Sequence, residues 1–346
     1  MEDRLFLDRI STIPAHAPAE RSCSAGSPCM SRIQDAAVLA AKRPVTDEVV
    51  QTVSETPHFL LFRRIMTFAG RAHWKRAVLF WLRFAADPLV TFRWWWFLAG
   101  FSAERELPLP HDDLLQKPLS KFLINKVSRK RRLAFLMDNF AIADRHFPRS
   151  TMAGLWTGKT MDMGTVRGRN DEYRCILALA DRCGGRHEGA FAVRLVRAHD
   201  NAVLWTATFT FLEGCETQHH TIVVGGMQGP RAAKEQMVSV TRDLSGLRPK
   251  EATLMVLQGL ACEGALRYFA VAHSRHPIRY RRARRQKMMV SDIDAFWRER
   301  SGEPDKTFGF KVPFSSLEGR DKRSHMKLSF FNLGKRFREG KATESA

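Results

Sequence analysis

The sequence predicts an α+β protein in which a helical N-terminal half precedes an antiparallel β-meander and a closing helix–helix–strand unit. Three changes of pattern predict this order. Apolar residues recur at three- and four-residue spacing over 57–147, which is typical of amphipathic helices. They alternate with period two over 160–226, as in strands that bury one face. Helical spacing returns over 231–265, which predicts two helices that pack on the meander.

The most apolar part of the helical half, residues 77–101, is long enough to be tested as a membrane span. A span needs about 20 residues with few or no charges. This stretch is interrupted by Arg83, Asp87, Pro88 and Arg93. Asp87 followed by Pro88 is the pattern of an N-cap and a first helical residue. We therefore predict two helices that do not cross a bilayer.

The meander is predicted from four strand-like runs: YRCILALADR, GAFAVRLVRAHD, AVLWTATFTFLEG and TIVVGG. Sequential strands of this kind usually pair with each other. The two helices that follow, 231–244 and 250–265, are separated by SGLRPKE, whose glycine and proline mark a boundary. RYFAVAHS, residues 267–274, is the last predicted strand of this unit.

We divide the chain into four regions by composition and pattern. Residues 1–50 lack a sustained period and contain PAHAPAERSCSAGSP, which predicts a disordered leader. A helical region (51–150), an α+β core (151–330) and a basic tail (331–346) follow. The start MEDRLFLDRI has no apolar signal-peptide run, and no two of the six cysteines form a C-x-x-C pair. We therefore expect a cytoplasmic protein with reduced thiols. It is expected either in the cytoplasm itself or bound peripherally to the inner membrane.

The formal net charge of +20 favours an anionic partner, namely a membrane surface, nucleic acid or a phosphate-bearing ligand. Two dense basic segments, 129–132 and 279–287, are typical of phosphate or lipid-headgroup binding, and also of solvated loops. The run Trp94–Trp96 beside Arg93 fits either a membrane-interface helix or an aromatic core face.

The stretch IVVGGMQGP, residues 222–230, predicts a strand that exits through a glycine-rich turn into a helix. Such a turn can bind an anion, because helix-start N–H groups are free and glycine permits close approach to the backbone. It has neither the Walker nor the dinucleotide spacing. The competing interpretation is a turn in which glycine serves geometry alone. The predicted cofactor-binding residues are Gly225, Gly226, Gln228, Gly229, Arg231 and Lys234.

This layout resembles the acetyltransferase fold, in which a strand, a turn and a helix hold the pyrophosphate of coenzyme A. The resemblance implies an acyl-coenzyme A donor at the glycine turn. His273 and His276 follow the strand FAVA, so they are the predicted catalytic bases at its end. Further candidates of the same kind are His187, Glu188, Glu213, His219, His220 and Glu263. No pair has the spacing of a metal site, so we predict none, and each histidine also fits a structural role.

Five sequence motifs occur in the order GGMQGP, TRDLSGLRPKEATL, FAVAHSRHPIRYRR, DIDAFWRERSG and FGFKVPF. In this order they resemble the VirK/YbjX family of bacterial proteins, over roughly residues 58–330. The family has no settled biochemistry. It is associated with virulence, tolerance of antimicrobial peptides, and stress or DNA-damage responses. The resemblance therefore implies an accessory protein without catalysis, acting at the inner face of the envelope or on a polyanion. The alternative is an acyltransferase-like enzyme that uses the turn at 225–234.

Overall fold

The computed structural model describes residues 56–71, 74–117, 121–213, 220–230, 232–261, 266–277 and 292–340. Within them, eight strands form one sheet: β1 (Met161–Arg167), β2 (Glu172–Leu179), β3 (Phe191–Arg197), β4 (Val203–Leu212), β5 (Thr221–Gln228), β6 (Arg267–Val271), β7 (Glu303–Pro304) and β8 (Gly309–Pro313). Ten helices accompany them: α1 (Pro57–Arg71), α2 (Trp74–Ala86), α3 (Pro88–Glu104), α4 (Asp112–Leu115), α5 (Arg129–His146), α6 (Arg149–Trp156), α7 (Lys234–Asp243), α8 (Pro249–Leu260), α9 (Ile293–Arg298) and α10 (Lys322–Arg338).

The sheet confirms the predicted α+β architecture. Strands β1 to β5 form an antiparallel meander in which each strand pairs with its sequence neighbour. The chain then crosses over through α7 and α8, so that β6 pairs with β5 in parallel, as a crossover connection requires. β8 and then β7 complete the sheet in antiparallel pairing. The helix–helix–strand order after the meander is therefore also confirmed.

The glycine stretch differs from the predicted strand exit. Gly225 and Gly226 lie inside β5, and α7 begins at Lys234 rather than at 231. Gly226 pairs with Thr208 of β4, and the register shifts between Thr208 and Phe209. Glycine inside a strand commonly marks a bulge or a close backbone approach. Here the strand continues through both glycines to Gln228 instead of ending at them.

The N-terminal helices break where the sequence predicts. Asp87 is the N-cap of α3, and its carboxylate accepts a hydrogen bond from the N–H of Val90 at 3.3 Å. Pro88 occupies the first helical position, where its missing N–H costs nothing. Among the described residues, no helix combines the length and the apolar character that crossing a membrane requires.

One continuous hydrophobic core joins the helical half to the sheet. It includes Leu61 of α1, Trp94 of α3 and Leu333 of α10. Helix α5 packs on β4, where the buried Asn139 side-chain oxygen accepts a hydrogen bond from the N–H of Phe211 at 2.8 Å. The helices are therefore part of the same body as the sheet.

The predicted basic tail is helical over its first half, because α10 continues to Arg338. The helix packs closely on α8: a Cβ atom at Gly259 would clash with the carbonyl oxygen of Phe331, and one at Gly334 with that of Val256. Phe330 is fully buried as well. Only a narrow stripe of α10, including Phe330, Leu333 and Gly334, is buried. The many Lys and Arg residues around it make this stripe difficult to recognise in the sequence.

The first prediction concerns Asp138 of α5. Burial, and then the nearby Glu213, raise its pKa to about 6. The folded state therefore holds this proton to a higher pH than the unfolded chain does. The resulting contribution to stability is complete below about pH 4 and is lost as pH rises through about 6. Asp138→Asn cannot ionise, so it should be more stable than the wild type at pH 7 by about 1 kcal/mol.

Urea unfolding at pH 4 and pH 7 measures this effect. The difference in unfolding free energy between Asp138→Asn and the wild type should grow over that interval. Glu213→Gln is the matched control and should give a smaller gain of the same sign, because it removes only the second cause. A difference that does not change with pH would contradict the assignment.

Candidate functional site

The glycines of β5 lie beneath the connection between β2 and β3, residues 180–190. A Cβ atom at Gly225 would clash with the carbonyl oxygen of Glu188, and one at Gly226 with its carboxylate. A Cβ atom at Gly189 would clash with the backbone of Phe209 on β4. Glycine at these positions therefore allows the connection to lie directly on the sheet.

Glu188 is the centre of a buried polar cluster. Gln228 Nε2 donates a hydrogen bond to Glu188 Oε2 at 2.7 Å, and Thr208 Oγ1 donates to the same oxygen at 3.5 Å. His276 Nε2 lies 3.4 Å from Glu188 Oε1. The side chains of Glu188 and His276 are only 4% and 7% exposed. A carboxylate this deeply buried needs such partners, because burial without them is very unfavourable.

The segment 122–125 from the helical half closes the cluster. The N–H of Leu123 donates to the carbonyl of His187 at 2.8 Å. The backbone N–H of Asn125 donates to the carbonyl of Arg275, and its side chain to that of Ser274, at 2.8 and 3.0 Å. The segment thus links the β2–β3 connection to the turn after β6.

The structure brings four predicted site residues together: Gly225, Gly226, Gln228 and His276. It places the backbone carbonyl of Glu188 over Gly225 and the Glu188 carboxylate over Gly226, where the sequence predicts an anion site. Glu188 thus occupies the space that an anion would need, and this favours the structural interpretation of the two glycines.

The other members of the predicted site lie apart from the cluster or outside the described residues. Gly229 faces Trp205, whose ring would clash with a Cβ atom there. The backbone N–H of His273 donates to Asp294 Oδ1 at 2.7 Å. Lys234 is exposed at the start of α7. Arg231 falls in a gap between the described ranges.

The remaining candidates are scattered over the fold. His187 Nδ1 lies 2.8 Å from the carbonyl oxygen of Lys121. The ring of His220 packs against that of His146 in a tilted arrangement, with centroids 4.1 Å apart. Glu213 is exposed at the end of β4. The last three, His219, Glu263 and the segment 279–287, lie outside the described residues.

One buried ion pair gave no signal in the sequence. Lys117 and Asp181 form a salt bridge, and both side chains are almost fully buried. Burial lowers the pKa of Lys117, and the Asp181 carboxylate opposes that shift. A lone lysine in LLQKPL resembles a surface residue, because lysine is rarely buried unless it is paired.

A second feature is a surface on α1, α2 and α3 that we call the aromatic face. It consists of large hydrophobic side chains that are 39% to 75% exposed. Its members are Phe59, Phe62, Met66, Trp74, Val78, Leu79, Trp81, Leu82, Leu89, Phe92 and Trp96. Trp94 is fully buried, as the core interpretation of the tryptophan run predicts, whereas Trp96 is 57% exposed.

The aromatic face is continuous from α1 to α3, since the rings of His58 and Trp96 lie 3.9 Å apart. Phe92 and Trp96 also contact each other, with centroids 5.8 Å apart. Helix α2 is the most exposed of the three: among its described side chains, Phe80 alone is buried. The three helices thus present apolar groups outward as well as inward.

The aromatic face is accompanied by a strong excess of positive charge. Residues 57–103 contain seven Lys and Arg and a single acidic residue, Asp87. That carboxylate caps α3 and lies 3.7 Å from Arg129, so it is already engaged. The surface is therefore both apolar and cationic.

These features define an α+β protein with a sealed polar cluster beneath its sheet connection and an apolar, cationic surface on its first helices. Residues 70–323 match the family described as protein of unknown function (DUF535), and this match covers more than half of the chain. The chain belongs to that family. DUF535 is the VirK/YbjX family, so the predicted resemblance is confirmed. No curated protein and no solved structure matches the chain.

The second prediction tests the packing of Glu188 on β5. Gly225→Ala should lower the unfolding free energy by about 1–3 kcal/mol, because the new methyl group must displace the backbone at Glu188. The measurement is urea unfolding. The control is Gly100→Ala in α3, where nothing lies within 4 Å of the new Cβ atom. That change should be neutral or stabilising by about 0.5–1 kcal/mol. Equal stability of the two variants would show that the connection does not lie on Gly225.

Proposed function

We propose that this protein is a peripheral membrane protein that binds an anionic lipid surface with its aromatic face. The single observation that carries the proposal is the gathering of exposed apolar groups. Of the fifteen large hydrophobic side chains that are exposed in the described part of the chain, eleven lie between Phe59 and Trp96. Contiguous apolar surface of this kind marks an interaction site.

The composition of the face supports a lipid surface as its partner. Helices that lie in a membrane interface combine Trp, Phe and Leu with Lys and Arg. Burying one Phe or Leu side chain contributes about 1.5–3 kcal/mol, so a few inserted side chains suffice for reversible binding. The excess of basic over acidic residues in 57–103 adds attraction to anionic headgroups, even with Arg64 paired with Asp112.

The family resemblance implies a role at the envelope, and we propose that the protein acts there as an accessory to antimicrobial-peptide tolerance without catalysing a reaction. The acyl-coenzyme A alternative has less support, because Glu188 lies over both glycines, with its backbone carbonyl at Gly225 and its carboxylate at Gly226. A nucleic-acid partner also has less support in the basic segment 129–132. There Arg129 is paired with Asp87, and burial lowers the pKa of Arg132.

The third prediction is vesicle binding. The full-length protein should sediment with phosphatidylglycerol vesicles at low salt and much less with phosphatidylcholine vesicles. The double variant Phe62→Ser, Trp96→Ser should bind phosphatidylglycerol vesicles at least about tenfold more weakly, because it removes two inserted side chains. Both side chains are more than half exposed, so the fold should be retained, as circular dichroism can verify.

Leu266→Ser is the matched control, since Leu266 is 80% exposed and lies at the start of β6, away from the face. It should bind vesicles like the wild type. Equal losses in the control and the double variant would count against the aromatic face. A wild-type dimer in light scattering that the double variant abolishes, with no vesicle binding, would assign the face to self-association instead.

A further inference from the structure

A cavity of about 610 Å³ lies between α7 and residues 169–171, in the turn that joins β1 to β2. It is separate from the Glu188 cluster and shares no residue with the aromatic face. Arg169 reaches it from the turn, and Lys234 and Arg242 from the helix. Asn170 and Ser239 add an amide and a hydroxyl to the lining.

The three cations have no acidic partner among the residues that the structure describes. Arg169, Lys234 and Arg242 form no salt bridge with another described residue, although three carboxylates also line the cavity. Exposed cations that converge on one cavity without pairing there remain available to an incoming anion.

Two of the three carboxylates already have hydrogen-bonding or ionic partners. Asp243 accepts hydrogen bonds from the hydroxyl of Tyr173 and from the N–H groups of Asn170 and Asp171. Burial would raise the pKa of Asp243, but these hydrogen bonds outweigh it and hold the pKa below its usual value. Asp171 lies 3.1 Å from Nδ1 of His199. Glu235 is therefore the one carboxylate of the lining without such a partner in the described structure.

We propose that this cavity binds the phosphate or diphosphate group of a small molecule or of a lipid headgroup. Two arginines offer paired N–H donors that match phosphate oxygens, and Lys234 adds a point charge. The volume is within the range of small-molecule sites, so the cavity accommodates an organic group beside the phosphate. Because the site is open to water, binding is weakened by salt.

The fourth prediction uses inorganic pyrophosphate as the probe, in calorimetry and thermal unfolding of the full-length protein at low salt. Pyrophosphate should bind the wild type and raise its unfolding temperature. The double variant Lys234→Gln, Arg242→Gln should bind it at least about tenfold more weakly. Arg320→Gln is the matched control, since Arg320 is an exposed arginine outside the cavity. Its affinity for pyrophosphate should equal that of the wild type.

All the substituted side chains are exposed, so the variants should unfold at the wild-type temperature without ligand. Arg169→Gln, on the opposite wall, gives a second test if the double variant folds poorly. Phosphatidate vesicles separate the two sources of phosphate when wild-type and variant cavities are compared in the Phe62→Ser, Trp96→Ser background, where the aromatic face contributes little. Loss of both pyrophosphate and phosphatidate binding in the cavity variants identifies a headgroup site, whereas loss of pyrophosphate alone identifies a soluble ligand.

Two results would overturn the proposal: no response to pyrophosphate in the wild type, or the same loss in Arg320→Gln as in the cavity variants. The aromatic-face variant should bind pyrophosphate normally, so a failure of the vesicle proposal and a failure of the cavity proposal are distinguishable.

Discussion

The position of Glu188 on the glycines of β5 is the contact on which most of the architecture depends. It presses the β2–β3 connection onto the meander and gives Gln228 and His276 a common partner. The same connection carries Asp181, which pairs with the buried Lys117 of the helical half. A buried charge is tolerated only with its partners in place, so segments far apart in sequence must assemble together here.

The first three helices differ from this buried region, because many of their apolar side chains are exposed. The sheet and α5 bury their apolar groups on one another, whereas α2 keeps one described side chain, Phe80, in the core and directs its tryptophans outward. An outward apolar surface adds nothing to the stability of an isolated molecule. Its energy is realised only when a partner removes it from water, which is why the face is the strongest functional signal in this chain.

The sequence predicted what depends on local pattern. The meander follows from period-two alternation, and the break at Asp87 and Pro88 follows from capping chemistry, so both are confirmed. It could not predict that Glu188 packs on residues some 40 positions away, since no period records a long-range contact. The strand that contains Gly225 and Gly226 was predicted correctly. Whether these glycines face a ligand or the chain itself depends on the long-range contact with Glu188. The buried apolar positions of α10 were not predicted, because they lie among many basic residues in the sequence.

The solvent exposure of a side chain decides whether a ligand can reach it, and the polar cluster and the surface groups differ in this respect. An acid–base catalyst must come within hydrogen-bond reach of its substrate. Glu188 and His276 are almost wholly enclosed by Gln228, Thr208 and the segment 122–125, and in this conformation their contacts link these segments to one another. Two groups of exposed side chains in the described part of the chain lie together at the surface: the apolar side chains of α1–α3 and the cations beside α7. Each group is suited to binding, the apolar side chains to a lipid surface and the cations to a phosphate, and these are the two features on which our proposals rest.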